Sequence, residues 1–178
     1  MMANQNLEAL EMLKTALSME EKGEEFYRKA MESSKNDLGK KIFETLMKDE
    51  KVHYGRILKI YNALKDESGW TEDWKSMDIG HKDVTVLFRE MAAEHGKTLE
   101  ADPGELEALD VGIDFEYKTM KFYQDYLPKA KDSLEKEFVE KMVEEERGHY
   151  TALKDMKLYM SDPAAWYQEM ERSGLDGA

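Results

Sequence analysis

The 178-residue chain contains no cysteine. Disulfides, thiolate metal sites and iron–sulfur centres are therefore excluded from it, and a reducing cytosol suits it. Proline is scarce, at three residues, so little interrupts long helices. No apolar run approaches the roughly 20 residues that cross a bilayer. Met1 to Leu13 holds no basic stretch followed by a long apolar one, so no secretory leader is expected and the expected location is cytoplasmic. Positive charge is also short. Lys and Arg number 26 against 39 Asp and Glu, a net charge of −13. That argues against nucleic acid or an anionic membrane as a partner and fits a protein that attracts cations.

What remains reads as long amphipathic helix. Hydrophobic residues make up 41% and charged residues 37%, a mix that demands a densely charged surface over one apolar stripe per helix. Helical periodicity predicts four long helices, over about residues 6–33, 37–64, 103–127 and 134–160. The first stripe is Leu10, Leu13, Leu17, Glu20, Tyr27 and Met31. The second carries Phe43, Leu46, Glu50, His53, Ile57, Ile60 and Leu64. The third carries Leu106, Leu109, Ile113, Glu116, Met120 and Tyr123. The fourth carries Phe138, Met142, Glu146, His149, Leu153 and Met156. Asp102-Pro103 and Asp162-Pro163 read as helix starts. Short turns near Ser34 and Asp132 predict two antiparallel hairpins. Residues 65–102 are too long for a turn between neighbours. They read as a crossover with its own short helix around Val84 to His95. Residues 163–172 read as a short final helix. The expectation is one all-α domain over 1–178, a four-helix bundle with one long crossover.

The halves match at a fixed offset of 96 residues. Leu13 pairs with Leu109, Glu20 with Glu116, Phe26-Tyr27 with Phe122-Tyr123, Glu50 with Glu146 and His53 with His149. This reads as a duplicated helical hairpin, with pseudo-two-fold symmetry in the bundle.

Four glutamates, Glu20, Glu50, Glu116 and Glu146, fall on the apolar stripes. A buried unpaired carboxylate costs several kcal/mol or more, and four together repel one another. The stripes as read offer no Lys or Arg, so metal cations are the economical counter-charge. Glu50-Lys51-Val52-His53 and Glu146-Arg147-Gly148-His149 both place a carboxylate and an imidazole three residues apart, on one side of a helix. Each motif follows its stripe glutamate by the same spacing. One carboxylate and one imidazole can bind the same metal, or a carboxylate can bridge two; such mixed oxygen and nitrogen donors suit iron or manganese, and zinc can occupy such a set.

Met19-Glu20-Glu21-Lys22-Gly23-Glu24-Glu25-Phe26-Tyr27 resembles the first-helix signature of rubrerythrins, in which a ligand glutamate precedes a tyrosine by seven residues; Glu116 to Tyr123 repeats it. The resemblance spans about residues 5–160. It implies a ferritin-like di-iron fold, with Glu20, Glu50, His53, Glu116, Glu146 and His149 as ligands and Tyr27 and Tyr123 hydrogen-bonded to carboxylates. It further implies an oxidoreductase that reduces peroxide or oxygen, and by analogy a homodimer. Two departures stand out. No rubredoxin-like iron–thiolate domain can be built without cysteine, so the resemblance implies electrons from a separate donor such as a rubredoxin-like protein. And Thr119 stands where rubrerythrins carry a further glutamate, three residues after the third-helix ligand. Iron oxidation and handling, or a structural metal in a non-enzymatic protein, are the competing functions. Glu21 and Glu145 read as solvated, Glu24 as surface, His81 and His95 as non-ligands, and Trp70, Trp74 and Trp166 as packing or dimer contacts.

Overall fold

A computed structural model describes residues 2–81, 83–97, 99 and 101–175. Six α-helices follow one another: α1 (Met2–Ser33), α2 (Asp37–Lys65), α3 (Val84–His95), α4 (Pro103–Tyr126), α5 (Ser133–Ser161) and α6 (Pro163–Leu175). Among the described residues there is no strand, and no helix is long and apolar enough to cross a membrane. The architecture is an all-α, ferritin-like bundle of α1, α2, α4 and α5 with a short C-terminal helix.

Local chemistry sets the helix ends. Asn36 accepts from the Gly39 amide at the start of α2, and Asp83 does the same for Thr85 at α3. Asp102 with Glu105, and Asp132 with Glu135, form reciprocal capping boxes at α4 and α5; each satisfies otherwise orphaned amides. Asp162 caps α6 through the Ala165 amide at 3.0 Å. Glu105 also accepts from Ser34, the Lys35 amide and Asn36. That ties the α1–α2 turn to the start of α4.

Two apolar clusters fill the bundle, one toward each end. Tyr27, Phe43, Leu46, Leu109, Leu153 and Met156 belong to the first. Leu13, Ala16, Ile57, Tyr123, Phe138 and Met142 belong to the second. On every long helix the residues between these clusters are the glutamates and histidines of the apolar stripes, so the polar layer is walled by core on both sides. Each fully buried Leu, Ile or Phe contributes about 1.5–3 kcal/mol, enough in sum to hold such a layer in place. On α1 the buried face runs through Ala9, Leu13, Ala16, Glu20, Tyr27 and Ala30, while Leu10, Leu17 and Met31 lie at its edges. Small residues near the axis let α1 approach its neighbours, and the larger ones fill the flanks.

The crossover lies along α2 and α5. Trp74 is buried edge-on to Phe138, with ring centroids 5.4 Å apart. Phe88 of α3 meets Tyr159 and Trp166, both at 5.9 Å, which binds α6 to the same cluster. Gly96 ends α3 at φ +67°, where a side chain is disfavoured, and its carbonyl accepts from Tyr159.

Candidate metal centre

Each long helix delivers its polar residues to the middle of the bundle. Glu20 comes from α1, Glu50 and His53 from α2, Glu116 from α4, and Glu146 and His149 from α5; all six are buried. His53 Nδ1 lies 3.0 Å from Glu146 and 3.3 Å from Glu20. His149 Nδ1 lies 3.2 Å from Glu50, 3.5 Å from Glu146 and 3.6 Å from Glu116. The two imidazoles stack 5.4 Å apart at 19°. Two ligand groups result, Glu20–Glu50–His53–Glu146 and Glu50–Glu116–Glu146–His149, each with its donor atoms within 4.8 Å of one another. Glu50 and Glu146 belong to both groups, the placement a bridging carboxylate needs.

The electrostatics of the cluster call for cations. Among the described residues, both oxygens of Glu50 and of Glu146, Oε2 of Glu116 and Nδ1 of His149 make no aligned hydrogen bond, and all but Glu50 Oε2 meet only as buried carboxylate–imidazole pairs, a costly state for Glu50 Oε2 above all. Burial, joined by the charges of Glu20, Glu146 and Glu116, pushes the Glu50 carboxyl well above its usual range. Burial raises Glu116 to about 8, against the pull of His149. Burial would raise Glu146 too, but the two imidazoles outweigh it and hold its carboxyl low. Burial alone would lower both histidines, and the surrounding carboxylates raise them instead. Protons thus sit where metal would bind. Oxygen-rich donors with two imidazoles fit iron, manganese or zinc.

A second layer holds the donors in position. Tyr27 donates to Glu116, and Tyr123 to Glu20 at 2.6 Å. Each phenol reaches from one hairpin to the other. Burial, together with the neighbouring carboxylates, pushes both phenols far up, so they stay protonated donors. Tyr27→Phe is expected to destabilise the metal-free protein by about 1–3 kcal/mol, because it strands a buried carboxylate oxygen. Urea denaturation reads this, and an unchanged midpoint would show the bond contributes nothing.

On the far side of each imidazole stands another acid. His53 Nε2 lies 2.8 Å from Glu145, and His149 Nε2 lies 3.1 Å from Asp49. An Nε2–H donated outward leaves Nδ1 free to face a metal. Glu145 is therefore not solvated, contrary to its reading from sequence. It is buried, and Arg56 donates to it at 2.5 Å. Burial would raise it, yet His53 and Arg56 bring it down to about 2. Arg56 itself is buried three residues past His53, so a cation does stand on that stripe. Its charge is spent on Glu145, one layer out from the four glutamates. Asp49 is held below its ordinary value because hydrogen bonds from His149 and His81 outweigh the effect of burial. Glu21 is exposed, and Glu24 is partly exposed and pairs with Arg28. His81 and His95 belong to neither ligand group, though His81 bonds Asp49 at 2.8–2.9 Å. Trp74 and Trp166 are packing residues, as their ring contacts show. Asp49 and Glu145 stand 96 residues apart, each directly before a Glu-x-x-His, a repeat signal that pairs them but does not show their burial.

No curated protein and no solved structure matches the chain. The family model described as Rubrerythrin matches residues 11–157. That span contains all six candidate ligands, both tyrosines and both outer acids, and the chain belongs to the rubrerythrin family.

Proposed function

We propose that the chain is a di-iron carboxylate protein that reduces peroxide or oxygen with electrons from a separate donor. The observation that carries this is the sharing of Glu50 and Glu146 by two buried ligand groups. When bound there, two iron ions supply paired one-electron chemistry and open positions for an oxidant. The protein's own part is to exclude water and fix geometry. The apolar clusters on either side seal the layer, Tyr27 and Tyr123 hold Glu116 and Glu20, and the outer acids fix both imidazoles. Peroxide reduced to water consumes two electrons and two protons. The chain has no cysteine to hold an iron–thiolate centre, so this domain takes its electrons from a separate donor. A rubredoxin-like donor fits this role.

Thr119 favours a second reading. Its hydroxyl turns back to the Phe115 carbonyl at 3.0 Å, so it is engaged in its own helix. A site without the extra glutamate also suits oxidation and handling of Fe(II). Anaerobic Fe(II) loading followed by separate peroxide and oxygen challenges tests the choice. Repeated peroxide turnover with a reduced donor supports the first reading. Iron oxidation without donor-dependent turnover supports the second. Loaded iron that reacts with neither oxidant contradicts both.

Metal binding is expected to follow pH. In the metal-free fold Glu116 keeps its proton up to about 8, against 4.5 for an ordinary glutamate. Folding thus takes up a proton in that window, and this contribution to metal-free stability falls as pH rises through it. Metal must displace the proton, so binding strengthens in the same direction. The gap in melting temperature between metal-loaded and metal-free protein should widen as pH rises through the window. A gap independent of pH in calorimetry would contradict this.

A further inference from the structure

The two imidazoles are supported alike in their first partner and differently in the next. Glu145 behind His53 is held by Arg56, a residue of α2. Asp49 behind His149 is held by His81, which belongs to the crossover. The crossover is fastened at this point. Met77 packs where Gly55 leaves room, since a Cβ there would meet its methyl carbon at 2.5 Å. The Met77 carbonyl accepts from Arg56 Nε at 2.7 Å. Gly80 then takes φ +79°, a turn that a side chain would strain, and His81 follows directly. His81 Nε2 lies within 2.9 Å of both Asp49 oxygens, and Asp49 Oδ2 also receives His149. His81 is 19% exposed, while Asp49 and His149 are almost fully buried. Outside it lies a cavity of about 520 Å³, whose walls include Asp78, His81, Asp83, Lys141 and His149.

We propose that His81 is a positioning residue for one half of the metal centre, acting through Asp49 to orient His149. Resting on the two-metal reading above, this makes the Glu50–Glu116–Glu146–His149 group depend on the crossover. In the Glu20–Glu50–His53–Glu146 group the acid behind His53 is held by Arg56 of α2, and the crossover reaches it only through the Met77 carbonyl on Arg56. Among the described residues, Asp49 without His81 keeps a single side-chain partner, His149, and can rotate, which frees the His149 ring. Loss of an outer partner of a metal-ligating histidine weakens metal binding by about tenfold or more.

The test is a titration of the full chain with Zn(II) alone, against a competing chelator, for wild type, His81→Ala and His81→Gln. The glutamine amide can still donate to Asp49. Imidazole nuclear magnetic resonance of the zinc-loaded proteins, with labelled histidine, reports each ring separately. The expected result is two binding steps in wild type. In His81→Ala one step weakens about tenfold, the His149 signals shift, the His53 signals stay, and the metal-free melting temperature holds. His81→Gln recovers most of the lost affinity. Two unchanged steps in His81→Ala overturn the proposal. Equal weakening of both steps with a lowered metal-free melting temperature also overturns it, since that is a purely structural role. A wild-type chain that binds no zinc overturns the two-metal reading itself, and the proposal with it.

Discussion

Glu50→Gln and Glu146→Gln are each expected to remove metal binding from both ligand groups, while shifting the metal-free protein in opposite directions. Both residues belong to both groups, so neither group survives the loss of either carboxylate. At a free metal concentration 1,000-fold above Kd, binding stabilises the fold by about 4 kcal/mol, and each variant should forfeit that gain. Without metal the two differ. Glu50 is buried with neither oxygen in an aligned hydrogen bond, and burial with three neighbouring carboxylates keeps it protonated. A neutral amide of the same shape relieves that repulsion, so metal-free Glu50→Gln should melt at or above wild type. Glu146 stays ionised because two imidazoles surround it, the nearer at 3.0 Å. Its neutralisation strands buried positive charge and should cost about 2 kcal/mol. Elemental analysis and calorimetry on the same samples read both effects. Full metal content in either variant would show the shared-ligand assignment to be wrong.

Gly23→Ala should cost metal affinity more than it costs fold stability. Gly23 lies on α1, one turn past Glu20, and an added Cβ would meet Glu50 Oε2 at 2.5 Å and the Phe115 ring at 2.9 Å. Overpacking of this kind costs about 1–3 kcal/mol. Replacing glycine by alanine inside a helix returns about 1 kcal/mol. The two nearly cancel in the metal-free protein, where the end of the Glu50 side chain can move aside. They do not cancel in the loaded protein, because Glu50 must then occupy the contested space. Affinity is expected to drop more than tenfold, measured by the same chelator competition, with a melting temperature close to wild type before loading. Gly174→Ala, which meets nothing within 4 Å, is the control. Unchanged affinity in Gly23→Ala would show that Glu50 has no need of that space.

Much of this site was legible in the sequence because burial and charge conflict there. A glutamate between leucines on a helical stripe announces a cost that something must offset. Four of them at matched spacing point to one shared solution. The helix ends were legible for the same local reasons that form them, as at Asp102 and Asp162. What escaped was the layer behind the histidines. Glu145 follows Glu144 and precedes Glu146 in an acidic run, and such runs are usually solvated. Only the packing of α5 against α2 turns Glu145 toward His53 and Arg56. His81 escaped for a different reason. It lies in irregular chain after Gly80, where no helical period relates it to Asp49, 32 residues earlier. Sequence periodicity reports neighbours along a helix and is silent on what a crossover brings back.

The central claim is that the buried carboxylates and imidazoles hold two metal ions. Elemental mass spectrometry on chain loaded anaerobically with Fe(II) and desalted tests it most directly. The account predicts about two irons per chain, one for each ligand group, and almost none in Glu50→Gln. A wild-type chain that leaves the column without metal would contradict it.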